Sequence, residues 1–400
     1  MGVTNLPGSF DVKGFAIEMV RLPLETTYSL GDGSGGATYQ TSTTPAIPYL
    51  VNTNTITMGT TAGLLNDFYG NGVLATGFPI GYNTLGASMN LYMMKHEISQ
   101  AAYRDFLNTL TYTQQTTRTV VLPNSAAGTF VLGNTSRRNG MKIATPGVST
   151  ATPAVYGCDL NNNLTYNEAT DGEWIACGYL TYMDLAAFLD WAALRPMTEL
   201  EFEKACRGPL TPVNGENATG TTGIVVGPAW PISNGGANNE IVTTYSGSVF
   251  NANITYNPVS PTGNSPMRVG IHATAFATRI SAGAGYYGAL DLSGNITEFV
   301  VTTQNAAGRS YTGASGNGTL NAAGDADEDF WPGINGNITV TTANAAYAGT
   351  TGVTGAAGFQ PRGGNCSSGT ATPLVVSNRL SGGGTSTRSA VDGGRGVKSW

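Results

Sequence analysis

Four hundred residues carry 19 Lys and Arg against 25 Asp and Glu, so charged residues make up 11% of the chain, under half the roughly 25% of an ordinary soluble domain. Hydrophobic residues at 40% and aromatics at 9% can bury a core, which excludes a disordered chain, and the 55 glycines keep no three-residue period, which excludes collagen. A net charge of -6 without a Lys/Arg run argues against nucleic acid or an anionic membrane surface as partner, and no apolar run approaches the roughly 20 residues of a membrane span, so no membrane insertion is expected.

The opening MGVTNLPGSFDVKGFAIEMV has no basic stretch followed by an apolar one, so no signal peptide is visible. Residues 16–20 alternate apolar and polar as a short strand does, and residues 337–341 repeat the pattern. Ser99 is placed to cap a helix whose Tyr103, Phe106, Leu107 and Leu110 form one apolar stripe. Thr181 and Asp184 open a second helix through Leu185, Phe188, Leu189 and Ala192, with Pro196 marking its end. Thr198 and Glu201 form a capping box ahead of Phe202, Ala205 and Cys206 in a third. The rest is rich in Gly, Asn and Thr. Few helices, short antiparallel strands and long loops are therefore expected in a single domain over 1–400, with insertions near 30–46, 207–265 and 303–358. Loops this long are usually functional or held by ligands or neighbours. Four cysteines (Cys158, Cys177, Cys206, Cys366) are too few to staple a chain this size and leave three pairings open.

Several segments occur in a characteristic order: FAIEMV at 15–20 with Gly31-Asp32-Gly33, MKHEIS at 94–99 running into YRDFLN at 103–108, LRPMTELEFEKACRG at 194–208, YGALDLSGNITEF at 287–299 and RGGN at 362–365. Together they resemble the formylglycine-generating-enzyme/sulfatase-modifying-factor family, an α+β variant of the C-type lectin fold, over nearly the whole chain. The resemblance implies oxidation of a substrate cysteine by a copper-binding pair of cysteines, lying a few residues after Arg-Gly-Gly with four residues between the two. Here that segment reads RGGNCSSGTATP at 362–373: Cys366 falls too early, Ser368 stands about where the first cysteine belongs and Pro373 about where the second does. Cu(I) is held by soft thiolates. Without the pair no copper is expected, and the chain reads as no enzyme, with a copper-dependent oxidase as the alternative that lacks its mechanism. No other catalytic set replaces it: His96 and His272 are the only histidines, and His96, just before a helix, reads as packed or capping. Glu199, Glu201 and Glu203 read as first-turn charges favoured by the helix dipole.

The resemblance also implies a calcium loop, in which the side chains of Asp291 and Glu298 and the carbonyls of Gly294 and Ile296 converge on Ca2+. The competing reading is a turn whose acids cap local amides. Asp159, Asn161 and Asn163 have the alternating spacing of an EF-hand loop start, but Leu164 stands where that loop wants Gly and Thr170 where it wants Glu. Asp325, Asp327 and Asp329 read as a solvated acidic loop or a metal site.

In C-type lectin folds the C-terminal strands and loops display the ligand surface, and some relatives are targets of diversity-generating retroelements, which cannot produce Lys, Glu, Gln, Met or Trp by mutating adenines in asparagine-type codons. Residues 365–397 contain none of those five types. Ser367, Thr370, Thr372, Asn378 and Arg388 are candidates for an exposed face that touches a cell-surface glycan or protein. The competing reading is a structural end that pairs into the sheet through Arg362 and Arg395. The expectation is a non-catalytic protein of a cell surface, the extracellular space or a virion-like particle, binding a ligand on a lectin-like scaffold and self-associating. The alternative is a structural subunit of an extracellular filament, phage or injection-system-like assembly without ligand binding.

Overall fold

The computed structural model describes residues 14–24, 27–43, 46–52, 54–68, 72–80, 90–134, 136–149, 151–225, 230–245, 252–256, 264–273, 278–328, 331–332, 358–379 and 388–399. The predicted strand at 337–341, Asp329 and the glycines at 382–384 lie outside these residues. The principal strands are β1 (Met19–Leu22), β2 (Leu91–Met94), β3 (Met141–Thr145), β4 (Val155–Cys158), β5 (Arg195–Pro196), β6 (Thr297–Val301), β7 (Phe359–Arg362), β8 (Asp392–Gly393) and β9 (Gly396–Ser399). The helices are α1 (Gln100–Leu107), α2 (Tyr112–Arg118), α3 (Tyr182–Trp191), α4 (Glu199–Arg207) and the single turn α5 (Ala306–Arg309). The fold is α+β, with few helices and small sheets.

An antiparallel sheet runs β1-β2-β9-β5, with Met19 opposite Met94, Met93 opposite Val397 and Val397 opposite Arg195. The last strand thus lies beside β2, some three hundred residues earlier. A second sheet, β7-β6-β8, pairs β6 antiparallel to β7 and parallel to β8, so one ladder departs from the expected antiparallel pattern and sets Thr297 opposite Asp392. The C-terminus therefore does pair into the sheets, and both Arg362 and Arg395 are buried.

The helix caps form where the sequence puts them. Ser99 accepts from the Ala102 amide, and Thr181 with Asp184 and Thr198 with Glu201 close reciprocal capping boxes. α1 stops at Leu107, leaving Leu110 buried beyond it, and α3 stops at Trp191, well before Pro196, which lies in β5. Tyr103 and Phe106 of α1 meet Phe188 and Trp191 of α3 through ring contacts of 5.5–6.4 Å. The insertion at 207–265 is not only loop: Trp230, Val242, Ala252, Ile254 and Tyr256 build a separate small core with Met267, Ile271 and Leu374.

The three glutamates of α4 behave differently from solvated dipole partners, because all nine residues of this helix are buried. Glu199 accepts from Arg362 at 2.8 Å and Arg379 at 2.6 Å, Glu201 is held bidentately by Arg195 at 2.6 and 2.9 Å, and Glu203 meets Arg362 at 2.9 Å and Arg207 at 3.3 Å. Arg207 also binds Glu216, and Arg379 stacks 3.9 Å over the Tyr39 ring. Glu203 further accepts from the amide of Gly31, whose φ of +76° leaves no room for a side chain, since a Cβ would lie 1.8 Å from the Tyr39 carbonyl oxygen. Burial opposes ionisation of Glu199, yet the guanidinium groups of Arg379 and Arg362 prevail and hold its carboxyl below its ordinary value.

Removing one member of a buried pair strands its partner, so Glu199→Gln is expected to cost about 3–5 kcal/mol in urea unfolding at neutral pH. Because the folded-state value is depressed, this stabilisation is present above the unfolded value and is lost as pH falls through the folded one. The variant should therefore show a shallower loss of stability below about pH 4 than the wild type, and parallel acid limbs would refute the assignment.

Candidate functional site

β7 ends at Arg362, and the chain turns through Gly363 (φ +84°) and Gly364 (φ +66°). A Cβ on Gly363 would sit 2.6 Å from the Leu292 carbonyl oxygen, and one on Gly364 2.8 Å from Leu374, so only glycine passes between them. Beyond this turn a cleft of about 260 Å³ opens, walled by Thr297 of β6, Asn365, Ser368, Pro373, Asn378 and Asp392 of β8, with Arg362 at its edge. Asn365 donates to the Thr297 hydroxyl at 2.7 Å, the Ser368 hydroxyl accepts from the Asn365 amide at 3.0 Å, and Asn378 donates to the Thr372 carbonyl at 2.7 Å. Burial pushes the Asp392 carboxyl up to about 6, against hydrogen bonds from Thr297 and Ser389. The cleft thus offers hydroxyls, amides and one carboxyl that titrates just below neutrality.

No thiol lines it. Cys366 is buried, its Sγ donates to the Asn264 carbonyl at 3.3 Å, and burial pushes the thiol up to about 12. Ser368 and Pro373 both stand on the cleft wall. These residues do not fit copper, since neither a hydroxyl nor a proline ring supplies a soft ligand. All four cysteines are free and buried; burial pushes Cys158 up to about 12 and raises Cys177 and Cys206 as well.

Of the residues expected on a ligand face, Asn378 lines the cleft and Ser367 lies beside it, its Oγ 3.5 Å from Arg137. Thr370 and Thr372 are exposed on the adjoining loop. Arg388 is not on that face: it grips Asp184 at the N-terminus of α3 and the carbonyls of Tyr179 and Arg118. A guanidinium so satisfied gains more from the buried carboxylate than from water, which a loop sequence alone does not reveal. Thr297, Asn365 and Asp392 were not anticipated as cleft residues. The parallel register of β6 and β8 brings Thr297 and Asp392 together, and no local sequence signal encodes it.

At the 291–298 turn, both oxygens of Glu298 are held by Arg395 at 2.6 and 2.8 Å, and Asp291 accepts from the Gly270 amide at 2.6 Å. Glu97, ahead of α1, accepts from the Asn295 side chain at 2.5 Å and the Ile296 amide at 3.0 Å. Burial raises all three carboxyls, Glu97 most markedly because Asp291 and Glu298 add like charge. Arg395 occupies at Glu298 the place that the resemblance gives to calcium, so the side chains fit a turn locked by arginine better than a Ca2+ loop. His96 reads as packed: burial lowers its pKa to about 4. In the acidic loop, Asp325 is buried against Arg118 rather than solvated, while Asp327 and Glu328 bring carboxylate oxygens within 4.8 Å of that of Asp190.

Few helices and small sheets, with Thr198 capping a buried charged helix and Arg-Gly-Gly-Asn lining a cleft, make this an α+β domain. The chain belongs to the family of the sulfatase-modifying factor enzyme 1-like domain (FGE-sulfatase), whose family model matches residues 83–330. The match ends before the glycine turn at 363–364 and most of the cleft wall. No curated protein matches the chain.

The four thiols should ignore Ellman's reagent in the native protein and react only after denaturation, all four in guanidinium chloride. Rapid native reaction of even one would contradict the burial described.

Proposed function

We propose that this chain is a non-catalytic member of its family, displayed on a cell surface, in the extracellular space or on a virion-like particle, that binds a ligand in and around the cleft. The observation that carries this reading is the pair Ser368 and Pro373 on the cleft wall, where the resemblance calls for two copper-binding cysteines. A hydroxyl and a pyrrolidine ring cannot bind Cu(I) or take part in thiol oxidation, so the oxidase reading has no mechanism here. What remains is a polar recess somewhat below the roughly 300–1,000 Å³ of a site for a drug-sized ligand. Its mix of amides, hydroxyls and a carboxyl suits one sugar ring of a glycan, or one polar side chain of a protein loop. Thr370 and Thr372 on the rim would extend the contact, as would Ser367.

Self-association fits a different observation. Val120, Leu122, Val148 and Val155 are each at least half exposed. The Gly147 amide bonds the Pro123 carbonyl, and Val155 pairs with Thr145, so these residues lie on neighbouring segments. Such a patch favours contacts in a larger assembly.

Incubation with a cysteine-containing sulfatase peptide and copper is expected to yield no aldehyde, and product formation would overturn the non-catalytic reading. On glycan and cell-surface arrays, Ser368→Trp, which fills the recess, should lose at least about tenfold in binding, a cost of about 1.4 kcal/mol. Equal binding by both proteins would remove the cleft as the site. Light scattering after size exclusion should show an oligomer, and a stable monomer at high concentration would exclude self-association.

A further inference from the structure

The segment 159–171 folds into a loop that the cleft does not use. Asp159 Oδ1 accepts from the Asn163 amide at 3.0 Å and its Oδ2 from the Leu164 amide at 3.3 Å; Asn161 Oδ1 also accepts from the Asn163 amide, and Asn163 Oδ1 from the Thr165 amide at 2.7 Å. Leu164 takes a φ of +65°, so the left-handed turn that an EF-hand loop assigns to glycine is made here in spite of the side chain. The terminal glutamate that Thr170 fails to supply has two substitutes: Glu168, whose Oε2 lies 2.6 Å from the Asn163 and 3.4 Å from the Asn161 side-chain nitrogen, and Asp171, which accepts from the Glu168 amide.

Two further observations concern charge. Asp171 is fully buried, yet its Oδ1 has no hydrogen-bond partner among the described residues, and the like charges of Asp159, Glu168 and Glu173 act on it. A buried carboxylate oxygen without a donor is costly unless a cation satisfies it. Lys142 neutralises Asp159 from the core side, bonding its Oδ2 at 2.7 Å and Asn162 at 2.6 Å. Lys142 thus pairs with only one of the loop's three carboxylates, and Arg104 reaches the loop at Asn167 rather than at a carboxylate, while Asn161 and Asn163 stand exposed on the outer side. Hard oxygen donors with an unmatched negative charge select a hard divalent cation over a soft one.

We propose that the loop 159–171 binds a calcium ion through Asp159, Asn161, Asn163, Glu168 and Asp171. The ion supplies the missing partner of Asp171 and is shared with Glu168, which the two asparagines already hold beside them. The site stands apart from the cleft and from the Asp291 turn, and does not depend on the proposed ligand binding.

The test is calcium titration of the full chain by calorimetry, with terbium luminescence sensitised by Tyr166 inside the loop as the local readout. The wild type is expected to bind one ion saturably and to melt at a higher temperature with calcium than with EDTA. Asn163→Ala and Glu168→Gln replace side chains at the outer side of the loop and should fold normally; each should weaken calcium binding at least tenfold and abolish the sensitised emission. No binding at millimolar calcium would overturn the proposal, and so would unchanged affinity in both variants, which would place the ion at Asp190 or Asp291 instead.

Discussion

The buried ion-pair network around α4 is the constraint on which the rest of the architecture depends. Glu199, Glu201 and Glu203 enter the core on one short helix, and each must find a cation there because an unpaired buried carboxylate costs several kcal/mol. Arg195 comes from β5 just ahead of the helix, while Arg362 from β7 and Arg379 from the C-terminal loop come from distant parts of the chain. Satisfying them fixes where those segments go. Arg362 in particular is shared by Glu199 and Glu203, so the end of β7 is pinned against α4 and the glycine turn after it opens the cleft at a set position.

The same logic recurs at smaller scale. Arg395 ties β8 and β9 to Glu298 of β6 while donating to the carbonyls of Met94, Lys95 and Leu290. Arg388 and Arg118 converge on Asp184, and Arg118 reaches Asp325. The low charge content of the chain therefore does not mean that charge is unimportant: much of what charge there is has been moved inside, where several pairs, such as Arg362 with Glu199 and Arg395 with Glu298, join segments far apart in sequence. The sparsely charged surface is a consequence of this, and it leaves polar uncharged groups to line the cleft.

Fold and cleft were legible to different degrees. The three capping signals at Ser99, Thr181 and Thr198 are local, since a side chain bonds an amide two or three residues on, and the helices begin where those residues stand. The helix α2 was missed because Thr111 with Gln114 caps a segment without an apolar stripe. Counting from Arg362 puts Ser368 and Pro373 where the resemblance calls for cysteines, and in the structure both line the cleft wall. Arg388 was placed on the wrong face because a guanidinium in a Ser-, Gly- and Thr-rich loop looks solvated until its buried carboxylate is known.

The sequence by itself determined the family, through motifs spread in order along the chain, and the helix starts, because each cap bonds an amide three residues on. Only the tertiary structure decided that the α4 glutamates are internal, that Glu298 belongs to Arg395, that Asp392 faces Thr297 across a parallel ladder, and that Asp171 has one oxygen without a donor. These all rest on contacts between residues dozens to hundreds of positions apart or on burial. Burial sets the energy of a charge, and a chain reveals it only once folded.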